Sequence, residues 1–264
     1  MIKLKKSDNI YREILDCEKQ GKKAALVTVI NTGGSTPQRP GSKMLILQDG
    51  TVINTIGGGA VEKRLIKDAR ETIKSKNHRV VRYTMEGAKN SHTKMICGGW
   101  MEFFIEPLKI KPNMYIFGAG HIGKALYQLG QMSHFHVTVI DDRKEYMDKD
   151  FFSDAELVMS SYGKISRQIN FRAPAFVVIV TASHATDEVI VKNILKRKIK
   201  LGYIGMIGSR KKSAQVKEKL KRMGLNEKLV SSVHSPVGLP INSKEPEEIA
   251  VSIMAEIIKV KNSS

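Results

Sequence analysis

The sequence predicts an α/β chain, with an N-terminal mixed α+β domain followed by a domain built on a parallel sheet. Two observations carry that expectation. Beyond residue 113, short apolar runs alternate with helical stretches, the pattern of right-handed βαβ units. Before residue 106, apolar runs are separated by Gly- and Pro-punctuated turns, and only two segments have helical spacing. "EPLKIKPN" (106–113) sets two prolines among polar residues between apolar runs. The boundary falls there, giving one domain over 1–108 and a second over 109–264.

In the first domain, residues 7–20 suit a helix, with Ser7 or Asp8 as cap and Ile10, Ile14 and Leu15 on one face. "AALVTVINT" (24–32) is a buried strand. "SKMLILQDGTVINTI" (42–56) is a hairpin turning at Asp49-Gly50, a strong short-range turn signal. A glycine run follows, "TIGGGAVE" (55–62), and then a helix from Ala60 to Ser75 carrying Val61, Leu65, Ile66, Ala69 and Ile73. "RVVRYTM" and "MEFFIEPL" complete the domain as strands.

The second domain begins with strand "MYIFGAG" and a helix from His121. Strands "HVTVIDD" and "AFVVIVTA" come next, then a helix from near Thr186 and strand "YIGMIGS". A helix over 210–223, a strand "KLVSSV" (228–233) and a final helix over 245–260 close the chain.

Composition narrows the function classes. With 264 residues, 41% of them hydrophobic and 27% charged, the chain has the makeup of a globular protein with a real core. No apolar run reaches the ~18 residues of a membrane helix. The N-terminus lacks a signal peptide's apolar core and cleavage site. Two cysteines, Cys17 and Cys97, make no disulfide framework, so the cytoplasm is the expected compartment. Net charge is +18 and the pI is 9.8. The basic clusters are "LKRKIK" (195–200) and "SRKKSAQVKEKLKRM" (209–223), and in the second the basic residues fall around a helix with few aromatics between them. That describes a solvated surface better than a nucleic-acid stripe. No His/Cys/Asp/Glu spacing suggests a metal site and no G-x-S-x-G elbow is present.

"GAGHIG" (118–123) follows an apolar strand and opens a helix, and Asp141 and Asp142 end the next strand. This is the context of a Rossmann-like dinucleotide loop. Gly118 serves the turn, Gly120 lets backbone approach a pyrophosphate, and Gly123 lets the helix pack on the strand. His121 then opens the helix whose N-terminus favours an anion. Ligands in such folds gather at the carboxyl ends of the strands. Those ends carry Asp141, Asp142, Arg143, Thr181, Ser183, His184, Asp187, Ser209, Arg210 and His234. Ser209 is placed as a helix cap beside Arg210, a second anion site.

The first domain carries three glycine-rich loops beside strands. "NTGGSTPQRPGSKM" supplies Gly34, the hydroxyls of Ser35 and Thr36, and the guanidinium of Arg39. The second holds Gly57, Gly58, Gly59 and, one turn into the helix, Glu62. The third, "CGGW", holds Cys97, Gly98 and Gly99. On spacing alone each loop is either a turn or a ligand cradle, Cys97 is either core filler or chemistry, and Glu62 either serves the helix N-terminus or contacts a guest.

Taken together, "GGSTPQRPGSKMLILQDG", "TIGGGAVE", "CGGWMEFFIEPL", "FGAGHIGKAL", "VIDDR", "YIGMIGSRKK" and "VHSPVGLPINSKEPEEIAVSIMAEII" closely resemble the XdhC/CoxI family. These are accessory factors for xanthine dehydrogenase and related molybdenum hydroxylases. The resemblance runs through both halves in family order. It departs from the family pattern at Gln38, where an Arg often stands, and at Lys94, where a Gly often stands.

The resemblance implies a maturation factor rather than a metabolic enzyme; separately, two compact domains joined by a short linker suit pairing as a homodimer. Such a factor binds the molybdenum cofactor, a molybdopterin with or without an attached nucleotide. It protects the cofactor while a cysteine desulfurase exchanges an oxo ligand for sulfide, then delivers it to a xanthine dehydrogenase-type apoenzyme. Carried over by position, Gly57, Gly58, Gly59 and Glu62 match the family's glycine-run element. Cys97, Gly98 and Gly99 match its cysteine loop, with Cys97 as thiolate ligand or sulfur relay. Gly118, Gly120 and Gly123 match its second-domain loop. The alternative expectation is an NAD(P)-binding oxidoreductase, in which Asp141 bonds the ribose hydroxyls.

Overall fold

The hairpin at Asp49-Gly50 forms as its turn chemistry dictates. The Leu47 N–H donates to Thr51 O at 2.9 Å, and the Thr51 N–H to Asp49 Oδ1 at 2.8 Å. It belongs to the first of two units, Met1–Ile110 and Lys111–Ser264, into which the chain divides. The computed structural model describes residues 4–56, 59–84 and 99–263. Of the expected site residues, Gly57, Gly58, Cys97 and Gly98 lie outside the described residues.

The first unit contains β1 (Leu4–Lys5), α1 (Ile10–Gln20), β2 (Ala24–Gly33), β3 (Lys43–Leu47), β4 (Val52–Ile53), α2 (Gly59–Ser75), β5 (Arg79–Thr84) and β6 (Trp100–Pro107). Its sheet runs β1-β4-β3-β2-β6-β5, antiparallel except for the β1–β4 pair. Alternation along β2 explains the two-sided core. Ala25, Val27 and Val29 pack with Phe103, Ile105 and the α2 residues Leu65, Ala69 and Ile73. Ala24 and Leu26 face the other way, onto Ile10 and Cys17 of α1. Asn9 caps α1, accepting from Tyr11 N and Arg12 N, in place of the expected Ser7 or Asp8. The buried stripe of α1 passes through Ile10, Ile14 and Cys17, and Leu15 is exposed. An i, i+4, i+7 stripe leaves residue 15 off the packed face.

The second unit contains β7 (Asn113–Phe117), α3 (His121–Met132), β8 (His136–Asp141), a 3-10 turn (Lys144–Tyr146), β9 (Glu156–Met159) and α4 (Tyr162–Gln168). β10 (Ala175–Ile179), α5 (His184–Lys196), β11 (Tyr203–Met206), α6 (Arg210–Arg222), α7 (Glu227–Ser231) and α8 (Pro246–Asn262) follow. The sheet order is β11-β10-β7-β8-β9, and every pairing is parallel. β7, β8, β10 and β11 are apolar on both faces, as a sheet covered by helices requires. Met114, Ile116, Val137 and Val178 pack with α3 and α8, while Tyr115, Phe117, Val177 and Ile179 pack with α4, α5, α6 and α7.

The segment expected as a strand over 228–233 is instead the short helix α7 followed by a turn. Asn226 caps it, accepting from Lys228 N at 2.9 Å, and Val230 and Val233 are buried one helical turn apart. Only His234 approaches the sheet, through an isolated bridge to Gly205. β9 and α4 are additional elements that the strand–helix pattern did not reveal.

Candidate functional site

In the first unit, sheet topology sends the loops to one place. β2, β4 and β5 point the same way, because each is antiparallel to β3 or β6. Their carboxyl ends therefore share one edge with the amino ends of β3 and β6, and the connections carrying all three glycine-rich segments leave from it. Two of these connections touch among the described residues. A Cβ on Gly99 would stand 2.1 Å from Ser35 O, and one on Gly33 would stand 2.4 Å from Trp100 Nε1. Gly33, Trp100 and Thr84 lie opposite one another across β2, β6 and β5. The Arg82 guanidinium covers the Trp100 ring at 4.1 Å.

Within the first loop, Gly34 has φ +68°, and the Thr36 hydroxyl donates to Gln38 O at 3.0 Å. Ser35 and Arg39 are exposed. Beside the second, Glu62 Oε1 accepts from the Thr55 hydroxyl and from the Ile56 N–H at 3.3 Å. Glu62 thus ties the start of α2 to the chain entering it. Among the described residues nothing lies within 4 Å of a Cβ built on Gly59.

In the second unit the candidate edge is the carboxyl end of the parallel sheet. β7 is central, with β8 on one side and β10 on the other, so the chain reverses its winding direction beside β7. The 118–123 loop sits at this switch point. Gly118 has φ +116°, a conformation open to glycine, and its Cβ would meet Val180 O at 2.5 Å. A Cβ on Gly123 would meet Gly118 O at 1.9 Å, so α3 packs directly on its own strand. Gly120 is different. It caps α3 with no side-chain bond, and nothing lies within 4 Å of where its Cβ would be. The first-turn N–H groups, from His121 to Gly123, have no intrahelical partners, which suits an anion.

Two buried acids stand beside this loop. Asp141 is fully buried. Its Oδ2 accepts from Ala119 N at 2.7 Å and Arg143 Nη2 at 2.9 Å, and its Oδ1 from Arg143 N at 3.0 Å and Nε at 2.9 Å. Burial pushes the Asp141 pKa up, but these donors outweigh it and hold the carboxyl below its ordinary value. The same pairing raises Arg143. On the far bank, Asp187 is 1% exposed, and its Oδ1 accepts from Thr181 Oγ1 at 2.6 Å and Thr181 N at 3.2 Å. Among the described residues its Oδ2 has no hydrogen bond, and His184 Nδ1 stands 3.7 Å away. Burial pushes Asp187 up to about 6 against the pull of Thr181. Ser209 caps α6 through Lys212 N at 3.3 Å, and Arg210 beside it is exposed.

His234 lies beside β11 rather than beyond its end. Its N–H donates to Ile204 O and its carbonyl accepts from Met206 N, each at 2.9 Å. Its Nδ1 stands 3.1 Å from Glu256 Oε1. A cavity of about 340 Å³ opens next to it, lined by Ile194, Leu195, Leu201 and Tyr203. Glycine loops do not line it, so the switch point remains the better candidate site. Among the described residues, no group of three His, Cys, Asp or Glu could hold a metal ion. No helix among them is long and apolar enough to cross a membrane.

Tyr162 and Trp100 stand at these edges, and spacing in the sequence singles out neither. Tyr162 follows β9, a four-residue strand too short to signal itself. The one cue for Trp100 is its place beside a glycine pair.

A central glycine loop at a parallel-sheet switch point, preceded by a separate α+β unit, defines a two-unit protein with a Rossmann-type second half. The chain belongs to the XdhC/CoxI family: residues 114–257 match the XdhC Rossmann domain, and residues 17–84 match the XdhC and CoxI family. It is 29% identical over 258 residues to the uncharacterized protein YqeB of Escherichia coli, spanning 97% of this chain and 47% of that one. It is 31% identical over 159 residues to a probable xanthine dehydrogenase subunit of Bacillus subtilis, 60% of this chain and 46% of that one. The molybdenum cofactor insertion chaperone PaoD of Escherichia coli is 21% identical over 280 residues, 96% of this chain and 88% of that one. The chain thus spans about half the length of the first two relatives. A solved structure described as a xanthine dehydrogenase from Bacillus halodurans shares the fold, with TM-score 0.52, 22% identity and coverage of 96% of this chain and 95% of that one.

Proposed function

We propose that this protein is a maturation factor for a molybdenum hydroxylase, binding the molybdenum cofactor and passing it to a xanthine dehydrogenase-type apoenzyme. One observation carries the reading: in a member of this family, connections bearing three glycine-rich segments leave one edge of the first sheet. The residues present suit a phosphate-bearing pterin. Gly34, Ser35, Thr36, Arg39, Gly59, Glu62 and Gly99 offer backbone, hydroxyls, a guanidinium and a carboxylate around that edge. Among the described residues nothing fills the space over Gly59, and the Gly99–Ser35 contact leaves no room for side-chain atoms between the two chain segments. When bound, the cofactor supplies molybdenum redox chemistry to the client enzyme.

The finer assignments belong to the same proposal. Gly57, Gly58 and Gly98 extend the cradle, and Cys97 acts as molybdenum ligand or sulfur relay. The Gly118, Gly120, His121 and Gly123 loop, with Asp141, His184, Asp187, Ser209 and Arg210 around it, takes a nucleotide, whether the cofactor's own or NAD(P). A cysteine desulfurase is the sulfur donor, and the protein works as a cytoplasmic homodimer.

The test is anaerobic co-purification of the full chain with molybdenum cofactor, with molybdenum and pterin measured together. About one cofactor per chain is expected, with retention reduced in Cys97→Ser. A wild-type chain that emerges free of both, with or without a desulfurase present, sinks the proposal.

A further inference from the structure

In a Rossmann-type site the end of the second strand meets the adenosine ribose. A carboxylate there takes the ribose hydroxyls, and an arginine there accommodates a 2′-phosphate. Here both groups are present, and their geometry decides which of them meets a ligand. Asp141 has no exposed surface, and its two oxygens already accept four donors, three from Arg143 and one from Ala119. Ribose hydroxyls would have to break charge-assisted bonds to reach it.

The group that faces outward is Arg143, whose side chain is 31% exposed. Asp141 holds it by Nε and Nη2, and the ring of Tyr146 lies 3.8 Å from its guanidinium carbon. The guanidinium is therefore fixed in place with its Nη1 donors unspent. Exposed Asp142 and Lys144 flank it with opposite charges. Beneath the same corner, the buried Tyr162 hydroxyl stands against Asp141, and the two groups shift each other's titration, Tyr162 upward and Asp141 downward.

We propose that the second unit binds a nucleotide carrying a phosphate on its adenosine ribose, read by Arg143, with Asp141 as the positioning residue that holds the guanidinium. The proposal rests on the 118–123 loop being a nucleotide site and is independent of molybdenum. The bare cap of α3 takes the pyrophosphate, Arg143 takes the ribose phosphate, and Asp141 sets the distance between them by gripping both Ala119 and Arg143.

The experiment is a fluorescence titration of the full chain with NADPH and NADH at matched ionic strength, without molybdenum. Competition by 2′,5′-ADP, 5′-AMP and inorganic phosphate completes it. NADPH is expected to bind about tenfold tighter than NADH, the worth of one good charge-assisted contact. 2′,5′-ADP should displace it at concentrations where 5′-AMP and inorganic phosphate do not. Arg143→Ala should abolish the preference and Arg143→Lys restore part of it, with melting temperatures confirming that both variants fold. NADH binding as tightly as NADPH, a preference that survives Arg143→Ala, displacement by inorganic phosphate alone, or no binding of either dinucleotide overturns the proposal. Cofactor retention in the anaerobic purification is a separate readout, so the two proposals fail separately.

Discussion

The two units assemble their loop edges by opposite routes. In the second unit each loop follows its own strand, and the edge arises from repetition of one local βα step. In the first, the edge exists only because β2, β4 and β5 are brought parallel by antiparallel partners between them, so it depends on long-range register. Their chemistry differs in the same way. Around the 118–123 loop the two buried acids are held from inside the unit, Asp141 by Arg143 and one oxygen of Asp187 by Thr181. The first edge presents backbone, hydroxyls, the exposed guanidinium of Arg39 and an indole covered by Arg82. A repeated local step leaves the strand ends free to vary in charge, whereas an edge made by register must keep close backbone contacts.

The largest effect that could break this comparison comes from the first core. Phe103 is fully buried in a cluster drawn wholly from the first unit. Phe103→Ala should cost about 3–5 kcal/mol. Hydrogen exchange should show β2, β5 and β6 losing protection while β7 and β10 keep theirs. Equal loss in both units would make them one cooperative block.

Asp187 sharpens the electrostatic side. Its folded pKa of about 6 lies above the ordinary value of 3.8, so the folded state holds the proton more tightly. The contribution of Asp187 to stability should therefore be fully present below about pH 4 and fall as pH rises to about 6, then level off, a loss of roughly 3 kcal/mol from this one group. Carboxylates held low, such as Asp141 and Glu256, act in the opposite direction. The readout is the difference from Asp187→Asn, which should melt above wild type at pH 8 and level with it near pH 4. A difference that stays constant across this range would mean that the Asp187 Oδ2 is already satisfied.

Glycine substitutions compare contact with opening. Gly123→Ala drives a Cβ into Gly118 O and should cost about 1–3 kcal/mol in thermal unfolding. Gly120→Ala meets nothing and should melt near wild type while weakening nucleotide binding. If the two variants melt alike, the close approach of α3 to β7 is not what demands glycine at 123.

The smallest effect tests the periphery of the first unit. Asn9→Ala removes the cap of α1 and should cost about 1 kcal/mol, read as a shift in denaturation midpoint.

Much of this arrangement was legible because it is written locally. The Asp49-Gly50 turn and the GAGHIG loop each declare themselves within a few residues, through turn chemistry and glycine spacing. "KLVSSV" misled because its valines favour a strand, while the cap at Asn226 and burial at Val230 and Val233 favour a helix. The shared edge of the first unit was not legible, since it rests on pairings such as Gly33 with Trp100, far apart in the chain. Nor could spacing reveal that Asp141 and Arg143, two residues apart, would grip each other. That outcome is set by the burial of one and the partial exposure of the other.

Trp100 has a consequence for anyone watching this molecule work. It is the one tryptophan of the chain, held between Gly33 and Arg82 where the first and third loops meet. Its emission therefore comes from a single known place, at the edge of the first sheet and nowhere in the second unit. A guest that parts those loops or shifts Arg82 should change that emission, making the native indole a built-in optical gauge of that edge.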